Sequence, residues 1–322
     1  MTGPIGVLVM AYGTANGPDD IERYYTDIRG GRAPSREHLD ELRARYAAID
    51  DRFPLLDITR EQAAGLERTL NMSAGGSFRT YLGMKHSPPF IADAVETMRS
   101  EGIERAIGIV MAPHWSGMSV ETYVDRVREA AGAGPPEFTF VRSYHDHPAF
   151  VDLLCGRVGH ALALLGPAER ARAAVIFSAH SLPVRTGADG ARFCKHCAAC
   201  EGSCRYRDGL QKTADLVAGE LGLPRVAIAW QSAGRTADPW WGPPIEDVIV
   251  GLAAKAYPAV VVCSAGFVAD HLEILYDLDI EANRVADEAG IRLVRTEMPN
   301  ADPAFVDALA AVVREHLAAA RA

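Results

Sequence analysis

The sequence predicts an α/β protein built as two similar Rossmann-like domains, each a four-stranded parallel sheet flanked by helices. Three observations point there. Short β-branched, apolar runs alternate with longer helical patterns along the 322 residues. The runs are apolar on both faces, as parallel strands covered on each side by helices have to be. The two halves of the chain also repeat one order of strand, polar break and helix.

Taken in order, the strands are expected at Ile5–Ala11, Phe78–Gly83, Ile107–Ala112 and Phe138–Ser143, then at Ala174–Ala179, Val226–Trp230, Ala259–Ser264 and Ile291–Arg295. Helical patterns lie between them, at Ser35–Ala48, Thr59–Leu70, Pro89–Ser100, Ser119–Ala131, Phe150–Leu165, Leu210–Leu221 and Pro303–Ala320. "VLVMAYGT" at 7–14 and "VIFSAHSLP" at 175–183 each open a half with a strand and a polar break. "IVMAPHWSGMSVETYVDRV" at 109–127 and "VVCSAGFVADHLEILYDLD" at 261–279 each follow a later strand with a polar loop and a helix. The expected domains are 1–148 and 149–322, meeting at "YHDHPAF", with the C-terminal helix packing across the boundary. Ligands of open α/β sheets bind outside the carboxyl ends of the strands, so these four breaks should line one cleft.

Composition excludes several function classes. The net charge of −9 argues against a general nucleic-acid binder, which needs a basic face. No run reaches the roughly 18 apolar residues of a membrane span. Met1-Thr2-Gly3-Pro4 leads straight into the first strand, so no leader is expected and a cytoplasmic protein is the default. The first strand ends in Ala11-Tyr12-Gly13-Thr14, with neither a G-x-G-x-x-G turn nor a Walker A loop to cradle phosphate.

Two constellations carry chemistry. In "FSAHSLP", His180 stands where a buried strand stops, and Pro183 is expected to end regular structure. Glu273, Asp277 and Glu281 follow a later strand end at i, i+4 and i+8. On a helix they would form one stripe, about 6 Å per step. Such a stripe is either a solvated acidic face or a path for a divalent cation. His180 with Glu273 across the cleft reads as a metal pair or an acid–base pair.

The second constellation is Cys194, Cys197, Cys200 and Cys204, spaced C-x2-C-x2-C-x3-C in an insertion at about 185–208. A tight cysteine cluster in a reducing compartment points to metal rather than disulfides. The compact run favours an iron–sulfur cluster over zinc, whose sites usually separate two cysteine pairs. Spacing alone allows 2Fe–2S, 4Fe–4S or Zn, and His196 is a further, weaker donor. Cys155 and Cys263 lie in apolar surroundings and read as small core residues.

Together "VLVMAYGT", "IERYYTDIRGGRAPS", "YLGMKHSPPFI", "APHWS", "FSAHSLP", "WQSAGRTADPWWGP", "GFVADHLEILYD" and "EMPNADPAF" resemble the ferrochelatase family, nearest its coproporphyrin-using bacterial branch. The resemblance runs from about residue 5 to about residue 315. It implies a chelatase-like fold and insertion of Fe²⁺ into coproporphyrin III, giving coproheme with loss of two protons. It maps the family's essential histidine and glutamate onto His180 and Glu273, and places Tyr12 at the iron from the opposite ring face. It makes Arg29, Arg45 and Tyr123 porphyrin contacts, and Asp277 and Glu281 an outer metal relay. Phe53 stands before Pro54 where the branch often has serine, so one hydroxyl contact to a propionate is missing. Lys85 and His86 also match the family; Gln231, Ser232 and Arg235 read as scaffold polar groups, and His86 and His114 as hydrogen-bonded cleft residues. The resemblance supports a 2Fe–2S cluster, though in a different place from the animal enzymes' C-terminal extension. Protoporphyrin IX ferrochelatase, a chelatase for another metal or tetrapyrrole, and a non-catalytic porphyrin or haem carrier stand as alternatives. Porphyrin and Fe²⁺ are the expected partners, with transient contact to neighbouring haem-pathway enzymes.

Overall fold

A computed structural model of the chain describes residues 3–72, 77–187, 190–197, 200, 203–234 and 236–320. The strands are β1 (Ile5–Ala11), β2 (Phe78–Met84), β3 (Arg105–Val110), β4 (Glu137–Val141), β5 (Ala174–His180), β6 (Val184–Thr186), β7 (Arg192–Cys194), β8 (Val226–Gln231), β9 (Ala259–Cys263) and β10 (Arg292–Arg295). Each of the eight expected runs is a strand, with ends displaced by a residue or two.

Two four-stranded parallel sheets result, ordered β2-β1-β3-β4 and β10-β9-β5-β8. Numbered within its own half, each sheet runs second–first–third–fourth, so the repeat read in the sequence is a repeat of topology. Alternate side chains of each strand serve different layers. Val7 and Val9 of β1, with Val175 and Phe177 of β5, enter one apolar interior shared by the two sheets. Leu8 and Met10 pack instead under helices Ile91–Ser100 and Val120–Ala131, and Ala174 and Ile176 under Ile245–Ala253. Cys155 and Cys263 belong to the shared interior, as their surroundings suggested.

Helix Pro303–Ala319 starts at Asp302, whose side chain accepts from the Ala304 N–H at 2.8 Å. It packs on helices Leu55–Met72 and Pro148–Ala163 and is pinned to the first half. The Arg314 guanidinium donates to the Thr69 carbonyl at 2.7 Å, and His316 Nε2 lies 2.9 Å from Thr139 Oγ1.

Two local expectations need correction. Regular structure does not end at Pro183. β6 begins one residue later and pairs antiparallel with β7, Val184 opposite Cys194. Proline is tolerated there because it stands before the strand and spends no ladder N–H, while its carbonyl accepts from Lys195 N–H at 2.8 Å. The stretch after Glu273 is not one α-helix. A short turn, Leu272–Leu275, passes into a π-helical segment, Asp277–Ala282, before α-helix Asn283–Ala289. Glu281 N–H reaches back five residues to the Tyr276 carbonyl at 3.0 Å. Such wide turns recur at functional sites. Among the described residues, no helix is long and apolar enough to cross a membrane.

Candidate active site

His180 is the last residue of β5, and Glu273 follows the loop after β9. These strands are neighbours, so their carboxyl ends deliver both side chains to one place. His180 Nε2 stands 3.5 Å from Glu273 Oε1. His271 adds a third group: its Nε2 is 3.7 Å from Glu273 Oε2, and its Nδ1 lies 2.9 Å from the Ala269 carbonyl. His180 Nδ1 is turned onto the Ser181 carbonyl, which leaves Nε2 facing Glu273. Phe267 backs both imidazoles, its ring 6.4 Å from His180 and 4.8 Å from His271.

The electrostatics follow from that crowding. Burial alone would lower the pKa of His180, but the Glu273 charge, the bond to it and the Ser181 carbonyl outweigh burial and push it up to about 9. Burial would raise Glu273, yet His180 and His271 together hold its carboxyl well below the usual carboxylate range. Each group thus favours the charged form of the other, the imidazole its protonated form and the carboxyl its anion.

A buried amide fixes the loop. Gln231 Oε1, at the end of β8, accepts from Ser178 Oγ at 2.7 Å and Ser264 Oγ at 2.8 Å, and its Nε2 approaches the Glu273 carbonyl at 3.5 Å. Gly266 lets the loop touch β5, donating its N–H to the Ser178 carbonyl at 3.0 Å. A Cβ there would stand 2.4 Å from Ala179 Cβ and 2.7 Å from Ala179 Cα.

Tyr12 stands at the carboxyl end of β1 and is 43% exposed. Burial, then the nearby Glu273 charge, raise its phenol above the ordinary value, against the Arg126 charge. Gly13, at φ +101°, makes the turn; a Cβ there would meet Ser87 Oγ at 2.6 Å. His86 packs on Tyr12 with ring centroids 4.6 Å apart and holds Asp27 at 2.6 Å. Lys85 Nζ lies 5.8 Å from the Tyr12 ring centroid and 5.1 Å from that of buried Tyr123, donating to Thr122 Oγ1 at 2.7 Å. Burial, then Arg126, push this ammonium down to about 8.

The other expected residues divide. Arg29 stacks over Tyr25 at 5.9 Å, and its buried Nε has no partner among the described residues. Arg45 and Asp277, expected in different roles, form an ion pair, and Ser232 Oγ donates to the same carboxylate. Asp277 is 3% exposed, and burial pushes it up to about 6 against the pull of Arg45. Glu281, further along the π-helical segment, is half-buried. Phe53 stacks on Tyr46 at 4.4 Å and helps line a cavity of about 640 Å³ with Asn16, Leu56, Arg60, Pro88 and Pro89. His114 is buried and bonds Thr213 Oγ1 at 3.0 Å. Arg235 lies outside the described residues. His271 and Asp27 were missed by residue reading; "DHLE" held the only signal for His271, a histidine two places before Glu273.

The family model for ferrochelatase matches residues 4–317. The chain belongs to the ferrochelatase family. Among its relatives, the coproporphyrin III ferrochelatase of Anoxybacillus flavithermus (strain DSM 21510 / WK1) is 47% identical over 316 residues, covering 97% of this chain and 96% of that one. The coproporphyrin III ferrochelatase of Bacillus subtilis (strain 168) is 45% identical over 316 residues, covering 97% and 98%. In fold, this ferrochelatase-family chain is similar to SirB from Bacillus subtilis with Fe3+, at TM-score 0.59 and 11% identity, covering 97% and 95%. It is likewise similar to CbiX, named as the terminal enzyme of sirohaem biosynthesis in denitrifying bacteria, at TM-score 0.53 and 11% identity, covering 96% and 98%.

In this ferrochelatase-family protein the four cysteines of the insertion are all buried and sit in one apolar environment. Their sulfurs form two pairs, Cys194 with Cys204 at 3.5 Å and Cys197 with Cys200 at 2.7 Å. Among the described residues, no three His, Cys, Asp or Glu side chains are grouped around one point as metal ligands. The donor chemistry nevertheless fits a thiophilic group. The bond shared with Cys194 and the backbone N–H groups at the start of helix Arg205–Leu221 pull the Cys204 thiol down to about 6, while the same bond raises Cys194 and burial pushes Cys200 up to about 12. The 3.5 Å pair is near the ~3.8 Å expected for two thiolates on a tetrahedral metal, whereas the 2.7 Å pair is well short of it.

Proposed function

We propose that this chain inserts ferrous iron into coproporphyrin III, giving coproheme and two protons. The observation that carries the reading is the His180–Glu273 pair at adjacent strand ends, in a chain 47% identical over 316 residues to a protein named for that activity. A free-base porphyrin has two pyrrole N–H protons that leave as iron enters. His180 and Glu273 together hold one proton between them, so loss of that proton opens a nitrogen and an oxygen to Fe²⁺ or to a pyrrole proton. His271 keeps the carboxylate turned towards His180. Tyr12 faces the metal from the other side of the ring, where a phenolate is a known ligand type for haem iron.

Arg29, whose buried Nε is unpartnered among the described residues, and Tyr123 serve the propionates as donors. In this reading Arg45 exchanges Asp277 for a propionate when the ring binds. That exchange frees Asp277, which with Glu281 passes the hydrated cation inward. The enzyme acts in the cytoplasm and meets neighbouring haem-pathway enzymes transiently.

Cys194, Cys197, Cys200 and Cys204 are read as the ligands of a 2Fe–2S cluster. Bound there, the cluster would cross-link the insertion and supply a one-electron redox centre. The test is one anaerobic preparation assayed with both porphyrins and analysed for metals. Turnover on coproporphyrin III should exceed that on protoporphyrin IX, with near-equal iron and acid-labile sulfide. The opposite preference overturns the substrate, porphyrin binding without turnover makes the chain a carrier, and stoichiometric zinc without sulfide overturns the cluster.

A further inference from the structure

The peptide joining His180 to Ser181 is held at both polar atoms. Ser181 N–H donates to the Gln231 carbonyl at 2.7 Å. The His180 carbonyl accepts from the Tyr206 hydroxyl at 2.9 Å. Since the His180 ring leans on the Ser181 carbonyl, any tilt of this peptide also turns the imidazole.

Tyr206 belongs to the cysteine insertion, not to the cleft. It is the second residue of helix Arg205–Leu221, whose cap is Cys204. The first bond of that helix runs from Asp208 N–H to the Cys204 carbonyl at 2.9 Å. Tyr206 is 6% exposed, with its ring 5.6 Å from Trp230 and edge-on to His114 at 6.4 Å. It lies close enough to Cys194, Cys204 and Glu273 to feel the charge of each. The insertion reaches His180 by a second route too, because Cys194 pairs with Val184, four residues beyond His180. A group bound to Cys194 and Cys204 would tie both routes together.

We propose that Tyr206 is a positioning residue that couples the four-cysteine site to His180. Metal held by the cysteines fixes Cys204, and with it the first helical turn. Tyr206 then holds the His180 peptide at the angle that aims Nε2 into the cleft. The inference rests on reading the cysteines as a metal site and His180 as the catalytic imidazole.

The experiment is a double-variant cycle of Tyr206→Phe and Cys204→Ser, with ring-labelled histidine NMR of the substrate-free protein. Tyr206→Phe keeps the buried ring and removes only the hydroxyl. It should lower kcat by roughly 3- to 10-fold with KM for porphyrin unchanged. It should also move the His180 ring resonances and leave the iron, sulfide and zinc content at the wild-type level. Cys204→Ser should lose metal and shift the same resonances, and the double variant should be no worse than Cys204→Ser alone. Unmoved His180 resonances in Tyr206→Phe, or losses that multiply in the double variant, overturn the coupling. Wild-type protein without metal on the cysteines fails the metal reading instead, and the Tyr206→Phe resonances still decide whether the hydroxyl positions His180. A thermal melt of each variant separates these outcomes from unfolding.

Discussion

Arg45 and Asp277 are joined across the molecule, one on helix Arg36–Ala48 and the other at the start of the π-helical segment. The aspartate is almost wholly buried, while the arginine keeps a quarter of its side chain in water and covers Tyr276 at 4.5 Å. Removing one partner of a buried pair costs more than removing both. Arg45→Met should therefore lower stability by about 1–3 kcal/mol, discounted for its exposure. Adding Asp277→Asn should recover part of the loss. Urea melts of the two single variants and the double variant check this, and additive losses would show that the pair is uncoupled.

His180 and Glu273 are expected to separate chemistry from binding. His180→Ala should reduce iron insertion by about a hundredfold or more, with porphyrin affinity retained. Glu273→Gln should behave alike. Single-turnover insertion and porphyrin titration, both followed by absorbance, measure the two quantities. Undiminished insertion in His180→Ala would refute the assignment.

Gly266 is required by proximity rather than by its backbone angle. A methyl group there collides with Ala179, which cannot retreat because it is part of β5. Gly266→Ala should cost about 1–3 kcal/mol and push the loop carrying Glu273 away from His180. Activity should fall by at least about tenfold, as reacting groups tolerate little displacement. Adding Ala179→Gly should restore only a small part of either, because Ala179 Cα stays 2.7 Å from the added methyl group, read from melts and insertion rates.

His114 should give the fold an acid-sensitive contribution. It is buried, its Nδ1 has no partner among the described residues, and burial, then His145, push its pKa down to about 3. The unfolded chain takes up this proton near pH 6.5, while the folded chain refuses it until about pH 3. Stability from this group is thus complete above pH 6.5 and is lost as the pH falls. The share lost by pH 5 is about 2 kcal/mol. His114→Gln should lose less stability than the wild type between pH 7 and pH 5, measured by urea midpoints. Equal losses would contradict a neutral buried imidazole.

Much of this protein was written locally. A strand covered on both sides needs a continuous apolar run, so the eight strands and their repeat could be read without coordinates. The cysteine spacing, and the polar breaks at Tyr12, His180 and Glu273, belong to the same local grammar, since strand ends set where side chains emerge. What the tertiary structure decided are relations between distant residues. That Arg45 meets Asp277, that His271 brackets Glu273 and that Tyr206 reaches back to His180 depend on how helices settle on sheets. The π-helical turn is of the same kind: "ILYDLDIEA" is compatible with an α-helix, and Asp277 turns inward under the combined pull of Arg45 and Ser232. Hydrophobic period is a property of neighbours along the chain, whereas a buried charge finds its partner only once the chain has closed around it.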